Sequence, residues 1–186
     1  LAGEPQYDVF INHRGVDTKR TVARLLYDRL AQSGIRGFLD NMSMRPGDRL
    51  RETISAGISE CSVAVAIFSP SYFDSEYCLW ELATLVESRK TIIPIFYNIK
   101  PSDLVLPEAL AASHDYLPQD VERYKYALRE AKNTVGLTYD SATGYVTHGS
   151  IYACMHHFLP LRYKYNSICV VNVHAQMHAR NQLRAN

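Results

Sequence analysis

Val63 to Phe68 and Ile92 to Phe96 are apolar at every position. Runs of that length without polar alternation predict strands buried on both faces of a sheet, here Val63 to Phe68 and Thr91 to Tyr97. Elsewhere the apolar residues recur every three or four positions: Val22, Leu25, Leu26 and Leu30, closed by Gly34; Leu50, Ile54 and Ile58; Cys78, Leu79, Leu82, Leu85 and Val86; Val121, Tyr124, Leu128 and Ala131. Each stripe predicts an amphipathic helix. The first helix has Asp17 or Thr18 as its cap. Shorter β-rich runs at Tyr7 to Ile11, Gly37 to Leu39 and Gly136 to Tyr139 add three strands. The first of these stops at Asn12-His13-Arg14-Gly15, where Gly15 permits a turn. Strands alternating with helices imply an α/β fold, a flavodoxin-like open five-stranded parallel sheet with helices on both faces. Ligands of such sheets lie beyond the carboxyl ends of the strands. That rule gathers His13 to Gly15, Asp40 to Gly47, Ser69 to Glu81 and Asn98 to Asp103 on one rim.

A chain of 186 residues, 47% hydrophobic, is enough for one sizeable core. Leu1 in place of Met reads as a start inside a longer product, and Leu1 to Gln6 carries no signal pattern. All 19 acidic residues precede Ser141, against 16 of the 20 Lys and Arg, so the first 140 residues carry −3 and the last 46 carry +4. Nothing resembles the basic, aromatic-laced stripe of a nucleic-acid binder, and no apolar run is long enough for a membrane span. Cys61, Cys78, Cys154 and Cys169 form no CxxC pair, which points to reduced thiols in an intracellular protein. His148, Cys154, His156, His157 and Cys169 crowd the tail without a zinc spacing, so no metal site is expected.

Candidate chemistry centres on Glu81. It lies at the margin of the apolar arc of its helix, one turn after Tyr77, in a helix that Ser75 or Asp74 can cap. Alone, such a residue reads as a solvated surface carboxylate. Arg14 offers a fixed bidentate cation for phosphate or carboxylate, with an ion pair to Asp17 or Asp40 as its plain alternative. Asp40 and Arg45 flank a polar loop that turns at Pro46-Gly47. Tyr77 and Trp80 can stack on a base or line the core. No GxGxxG or GxxxxGK[ST] pattern is present. A phosphoacceptor receiver is excluded, because Asn12-His13-Arg14 stands where acidic magnesium ligands are required.

Several ordered motifs then carry a resemblance: Tyr7-Asp-Val-Phe-Ile-Asn-His-Arg-Gly-Val-Asp-Thr18, Gly34-Ile-Arg-Gly-Phe-Leu-Asp40, Arg45-Pro-Gly47, Ser69-Pro-Ser-Tyr72, Ser75-Glu-Tyr-Cys-Leu-Trp-Glu-Leu82 and Ile93-Pro-Ile-Phe-Tyr97 through Pro101-Ser-Asp103. The chain resembles plant TIR domains and, in size, the TIR-only proteins of the kind grasses carry. The resemblance divides it into an N-terminal extension (1–6), a TIR domain (7–140) and an atypical C-terminal segment (141–186). It implies an NAD+ glycohydrolase and ADP-ribosyl cyclase of plant immunity, which releases nicotinamide and yields ADP-ribose and cyclic or variant cyclic ADP-ribose signals. Glu81 falls on the family's catalytic glutamate, and Arg14, Gly15, Asp40, Arg45, Ser75 and Tyr77 fall on positions expected to line the nucleotide pocket. No cofactor or metal is implied, NAD+ being the substrate, with NADP+ as a second candidate. The implied partners are further copies of the chain or other TIR proteins, and the implied location is the cytoplasm, with the nucleus as alternative. The rival reading is a non-catalytic adaptor acting through TIR–TIR contacts. Departures are Ile11-Asn-His-Arg-Gly15 for the usual Phe-Ser-Phe-Arg-Gly, Tyr77 where many relatives have Trp, and Arg24-Leu25 for the Ser-His pair that seats one copy on another. The family's acidic last helix has no counterpart; Ile151 to Leu161 is a candidate substitute.

Overall fold

The computed structural model describes residues 6–113, 115–142 and 145–147. The C-terminal candidates, His148, Cys154, His156, His157, Cys169 and the Ile151 to Leu161 helix, lie outside the described residues. In chain order the elements are β1 (Val9–His13), α1 (Gly15–Thr18), α2 (Val22–Gln32), β2 (Gly37–Phe38), α3 (Asp40–Ser43), α4 (Leu50–Glu60), β3 (Val63–Phe68), α5 (Glu76–Glu87), β4 (Thr91–Tyr97), α6 (Glu108–Ala111), α7 (Pro118–Lys132), β5 (Leu137–Asp140) and β6 (Tyr145–Thr147). Five strands form the expected parallel sheet in the order β2-β1-β3-β4-β5. A sixth, β6, pairs antiparallel with β5 and covers what would otherwise be the sheet's edge.

The apolar patterns set the layers. Val9 and Ile11 of β1 and alternate residues of β3 and β4 pack under Val22, Ala23, Leu26 and Leu30 of α2. The opposite face carries Phe10, Ala64, Ala66, Phe68 and Phe96, covered by α4, α5 and α7. β3 is buried at all six positions, as its unbroken apolar run requires. Gly34 ends α2 at φ +74°, with Gly34 N–H donating to Ala31 O and Ile35 N–H to Leu30 O. This is the left-handed stop that glycine accepts most readily.

Four local expectations are corrected. β1 continues two residues past Ile11 through Asn12 and His13, because both are drawn into pairing with Ala66 and Ile67. Gly15 opens α1 without a left-handed φ. Neither Asp17 nor Thr18 caps α2: Asp17 is held by Ser71, Thr18 by His13 and Arg14, and the helix restarts at Val22. Leu50, placed inward by periodicity, is 41% exposed at the first turn of α4, ahead of the buried Ile54 and Ile58.

Candidate active site

The order β2-β1-β3-β4-β5 reverses direction between β1 and β3, and the crevice at that switch is where flavodoxin-like sheets take ligands. The loops leaving the two strands are tied together across it. Ser71 donates its backbone N–H to Asp17 at 3.0 Å and its hydroxyl at 2.8 Å. Burial opposes ionisation of Asp17, but the Ser69 and Ser71 hydroxyls, the Ser71 N–H and the Arg14 charge hold its carboxyl below the usual range. Ser69 Oγ is itself buried with no partner in hydrogen-bond range, so its help is electrostatic at a distance.

Glu81 enters from α5. Ser75 caps that helix by accepting from Cys78 N–H at 3.3 Å, which fixes the first turn; Asp74 does not cap it. One turn further on, Glu81 points inward and is 9% exposed, so the surface reading of this carboxylate does not hold. Its Oε2 accepts from Asn12 Nδ2 at 2.8 Å, and among the described residues no cation pairs with it. Burial pushes the carboxyl up to about 8, with the charge of Asp40 adding to the effect and the Asn12 bond opposing it. Desolvation also raises Cys78, to about 12, and Tyr72, so both stay neutral beside it.

The end of β1 supplies the other polar groups. Thr18 donates its one hydroxyl proton to Arg14 O at 2.8 Å. It therefore accepts from His13 Nδ1–H at 2.9 Å, which turns His13 Nε2 toward Asp40 Oδ1. At 3.6 Å that approach is too long for a hydrogen bond, and Nε2 and Arg14 Nε are both buried without a hydrogen-bond partner. The expected Arg14 ion pair is replaced by a longer-range pull on Asp17, and His13 is the group facing Asp40. Around Gly15, a Cβ would meet only Lys19 Cδ at 4.0 Å, so the backbone there is open to an incoming molecule.

The lip of β1 and β3 thus carries Arg14, Gly15, Asp40, Ser75 and Glu81. Two expected residues do not join them. Arg45 lines a hollow of about 400 Å³ with Tyr7, Phe38, Ser43, Asp48 and Glu52, beside α4. Tyr77 lies under the Arg51 guanidinium, 5.6 Å from the ring centroid, with Trp80 at 5.3 Å from the same cation. Asn12 and Tyr72 are the residues sequence reasoning missed. The signal was alternation: if β1 continues past Ile11, Asn12 shares Phe10's face, the one that α5 covers.

Residues 6–146 match the TIR domain family, and the chain belongs to that family. Over 142 residues it is 80% identical to the probable 2′ cyclic ADP-D-ribose synthase BdTIR of Brachypodium distachyon, an overlap of 76% of this chain and 63% of that protein. It is also 34% identical over 142 residues to the TMV resistance protein N of Nicotiana glutinosa, covering 70% of this chain and 12% of that one. The chain therefore spans less than two thirds of the length of either curated relative. Among solved structures, the TIR domains of the activated Roq1 resistosome, which directly recognises the pathogen effector XopQ, superpose with a TM-score of 0.67. The identity is 28%, over 82% of this chain and 96% of that one.

Proposed function

We propose that the chain is an NAD+ glycohydrolase and ADP-ribosyl cyclase of plant immunity, with Glu81 as its catalytic carboxylate. The observation that carries this is a buried carboxylate that, among the described residues, has one hydrogen-bond donor and no ion-paired cation, at the switch point of the sheet. Such a group is costly to ionise by itself and is suited to meet a cation. The 80% identical grass relative, named as a cyclic ADP-ribose synthase, supports the same reading.

NAD+ brings that cation. As the bond from ribose C1′ to the nicotinamide nitrogen breaks, its electron pair returns to the ring, nicotinamide leaves neutral, and positive charge passes to the ribose, as in glycoside cleavage. The Glu81 carboxylate stabilises that charge. Water adding at C1′ gives ADP-ribose, and a hydroxyl of the second ribose gives a cyclic product. In either case one proton is released, and a carboxylate with a pKa of about 8 is well matched to take it near neutral pH. The positive nicotinamide ring beside Glu81 favours the ionised form on binding. Arg14 serves the diphosphate, Gly15 lets it approach the backbone, and Asp40 and Ser75 take hydroxyls. Contact by Arg45 or Tyr77 requires the 40–48 segment to move and Arg51 to release its stack.

Self-association through TIR–TIR contacts, with copies of itself or with other TIR proteins, belongs to the same proposal, since the solved TIR domains it matches come from a resistosome. Leu25 is 6% exposed and faces the core, while Arg24 is tied to Asp28 at 2.8 Å and Met42 at 3.2 Å. A surface other than the family's usual first-helix contact therefore makes the association. No described helix is long and apolar enough to cross a membrane, and we place the protein in the cytoplasm.

Incubation of the purified chain with NAD+ and chromatographic separation of products tests the reaction. Nicotinamide should appear in equal amount to the sum of ADP-ribose and cyclic product. A folded chain that releases none at any concentration overturns it and leaves an adaptor.

A further inference from the structure

Asn12 is fully buried in β1, beside the apolar strand β3. A carboxamide there is costly unless every strong donor and acceptor is used. Its atoms are used: Nδ2 faces Glu81 Oε2 at 2.8 Å and Cys78 O at 3.3 Å, and Oδ1 is the nearer acceptor of the Tyr72 hydroxyl, at 2.6 Å against 3.0 Å to Cys78 O. Tyr72 is itself fully buried and edge-packed on Phe68 and Phe73. The orientation of the amide is fixed by chemistry. Cys78 O can only accept, so the N–H side of Asn12 must face it whatever the charge on Glu81; a flipped amide would set oxygen against oxygen.

We infer that Asn12, locked by Tyr72 and the Cys78 carbonyl, is the positioning residue for Glu81, holding one carboxylate oxygen so that the other is presented to the substrate. This inference rests on the proposed role of Glu81. The groups around that carboxylate leave Asn12 little competition. Asp40 opposes its ionisation from the end of β2, Tyr72 and Cys78 are held neutral by burial, and His13 bonds Thr18 through Nδ1 with its Nε2 turned toward Asp40 at 3.6 Å. Arg14 acts over a longer distance on the same cluster. Asn12 is the hydrogen bond that favours the charged form of Glu81.

The test has two independent readouts, carboxyl ¹³C NMR titration and the pH dependence of kcat/KM with NAD+. The Glu81 resonance is assigned by its loss in Glu81→Gln. In Asn12→Leu its midpoint should rise from about 8 by roughly one pH unit, a tenfold change in the ionisation constant. The inflection of kcat/KM should move with it, and kcat should fall while KM changes little. Asn12→Ser, which restores a short donor, should return part of both effects. Tyr72→Phe, which frees the amide, should shift the midpoint in the same direction by less. Should Asn12→Leu fail to fold because the Tyr72 hydroxyl loses its shorter bond and keeps only Cys78 O at 3.0 Å, Asn12→Leu with Tyr72→Phe removes that hydroxyl and gives the same answer. A folded leucine variant whose Glu81 titrates as in the wild type overturns the inference. If the wild type releases no nicotinamide, the NAD+ reading fails by itself, and the carboxyl titration still decides the part played by Asn12.

Discussion

β1 has a buried carboxylate at each end, and the two are treated in opposite ways. At the amino end Asp8 is fully buried and accepts from Arg36 three times: from its backbone N–H at 2.8 Å and from Nε and Nη2 at 3.1 Å each. At the carboxyl end Glu81 is almost as buried, yet takes one bond from a neutral amide. Asp8 is a charge whose removal from water is offset by a guanidinium and a main-chain donor, and it splices the segment before β1 to the segment before β2. Glu81 is a carboxyl that, among the described residues, has no cation to offset its ionisation. A fold keeps such an imbalance at the cost of stability, so where it occurs beside a ligand crevice it marks the place where something binds.

The sharpest way to break this contrast is Glu81→Gln. It should lower NAD+ cleavage by about a hundredfold to a thousandfold, the usual loss when a preorganised electrostatic partner of the transition state is removed, while the circular dichroism spectrum is unchanged. It should also melt no earlier than the wild type above pH 8. The sign follows from the raised carboxyl: folded Glu81 holds its proton up to about 8 against an ordinary 4.5. The wild type therefore loses stability as pH rises across that window, and a permanently neutral side chain does not. At the other end, Asp8→Ala should leave turnover by the folded protein intact and lower unfolding free energy by about 2–3 kcal/mol in urea titrations. Arg36, half-exposed, loses the Asp8 carboxylate that accepts from both its guanidinium and its backbone N–H.

A smaller effect is the pH profile. Because the free protein's Glu81 ionises near 8, kcat/KM should fall about tenfold for each pH unit below that point and level off above it. Its inflection for kcat should lie lower, since bound NAD+ favours the carboxylate. Equal inflections in stopped-assay pH series would show that the substrate's charge does not reach Glu81. The smallest effect belongs to the loop tie across the crevice. Ser71→Ala removes one of the two bonds to Asp17 and should cost about 1 kcal/mol in denaturant midpoint, with a modest rise in KM.

The regular parts of the fold were legible because one force dominates them. β3 and β4 have the expected bounds, and α7 buries its whole predicted stripe, Val121, Tyr124, Leu128 and Ala131, since each is a buried run or stripe with no polar competitor. Where a polar side chain reaches far along the sequence, the local pattern misleads. Asp17 looks like a helix cap until Ser71, 54 residues on, claims its carboxylate. Asn12 and His13 look like the start of a turn until β3 pairs with them. Glu81 was legible as a residue on a helix margin; its burial was not, because that depends on Asn12 and Tyr72 closing over it from 69 and nine positions away in the chain. Arg45 and Tyr77 belong to the motif pattern, but in this structure Arg45 lines the hollow beside α4, with only its backbone N–H bonded to Asp48 among the contacts described, and Tyr77 lies under Arg51.

The hairpin of β6 on β5 bears on how copies meet. Among the described residues it leaves the sheet bounded by a two-residue strand, β2, at one margin and a three-residue strand, β6, at the other. Neither margin offers a ladder long enough to recruit a neighbour's backbone. If copies associate, the described margins leave helix surfaces and loop side chains as the material of the contact, which is easier to undo than a continuous cross-molecule sheet.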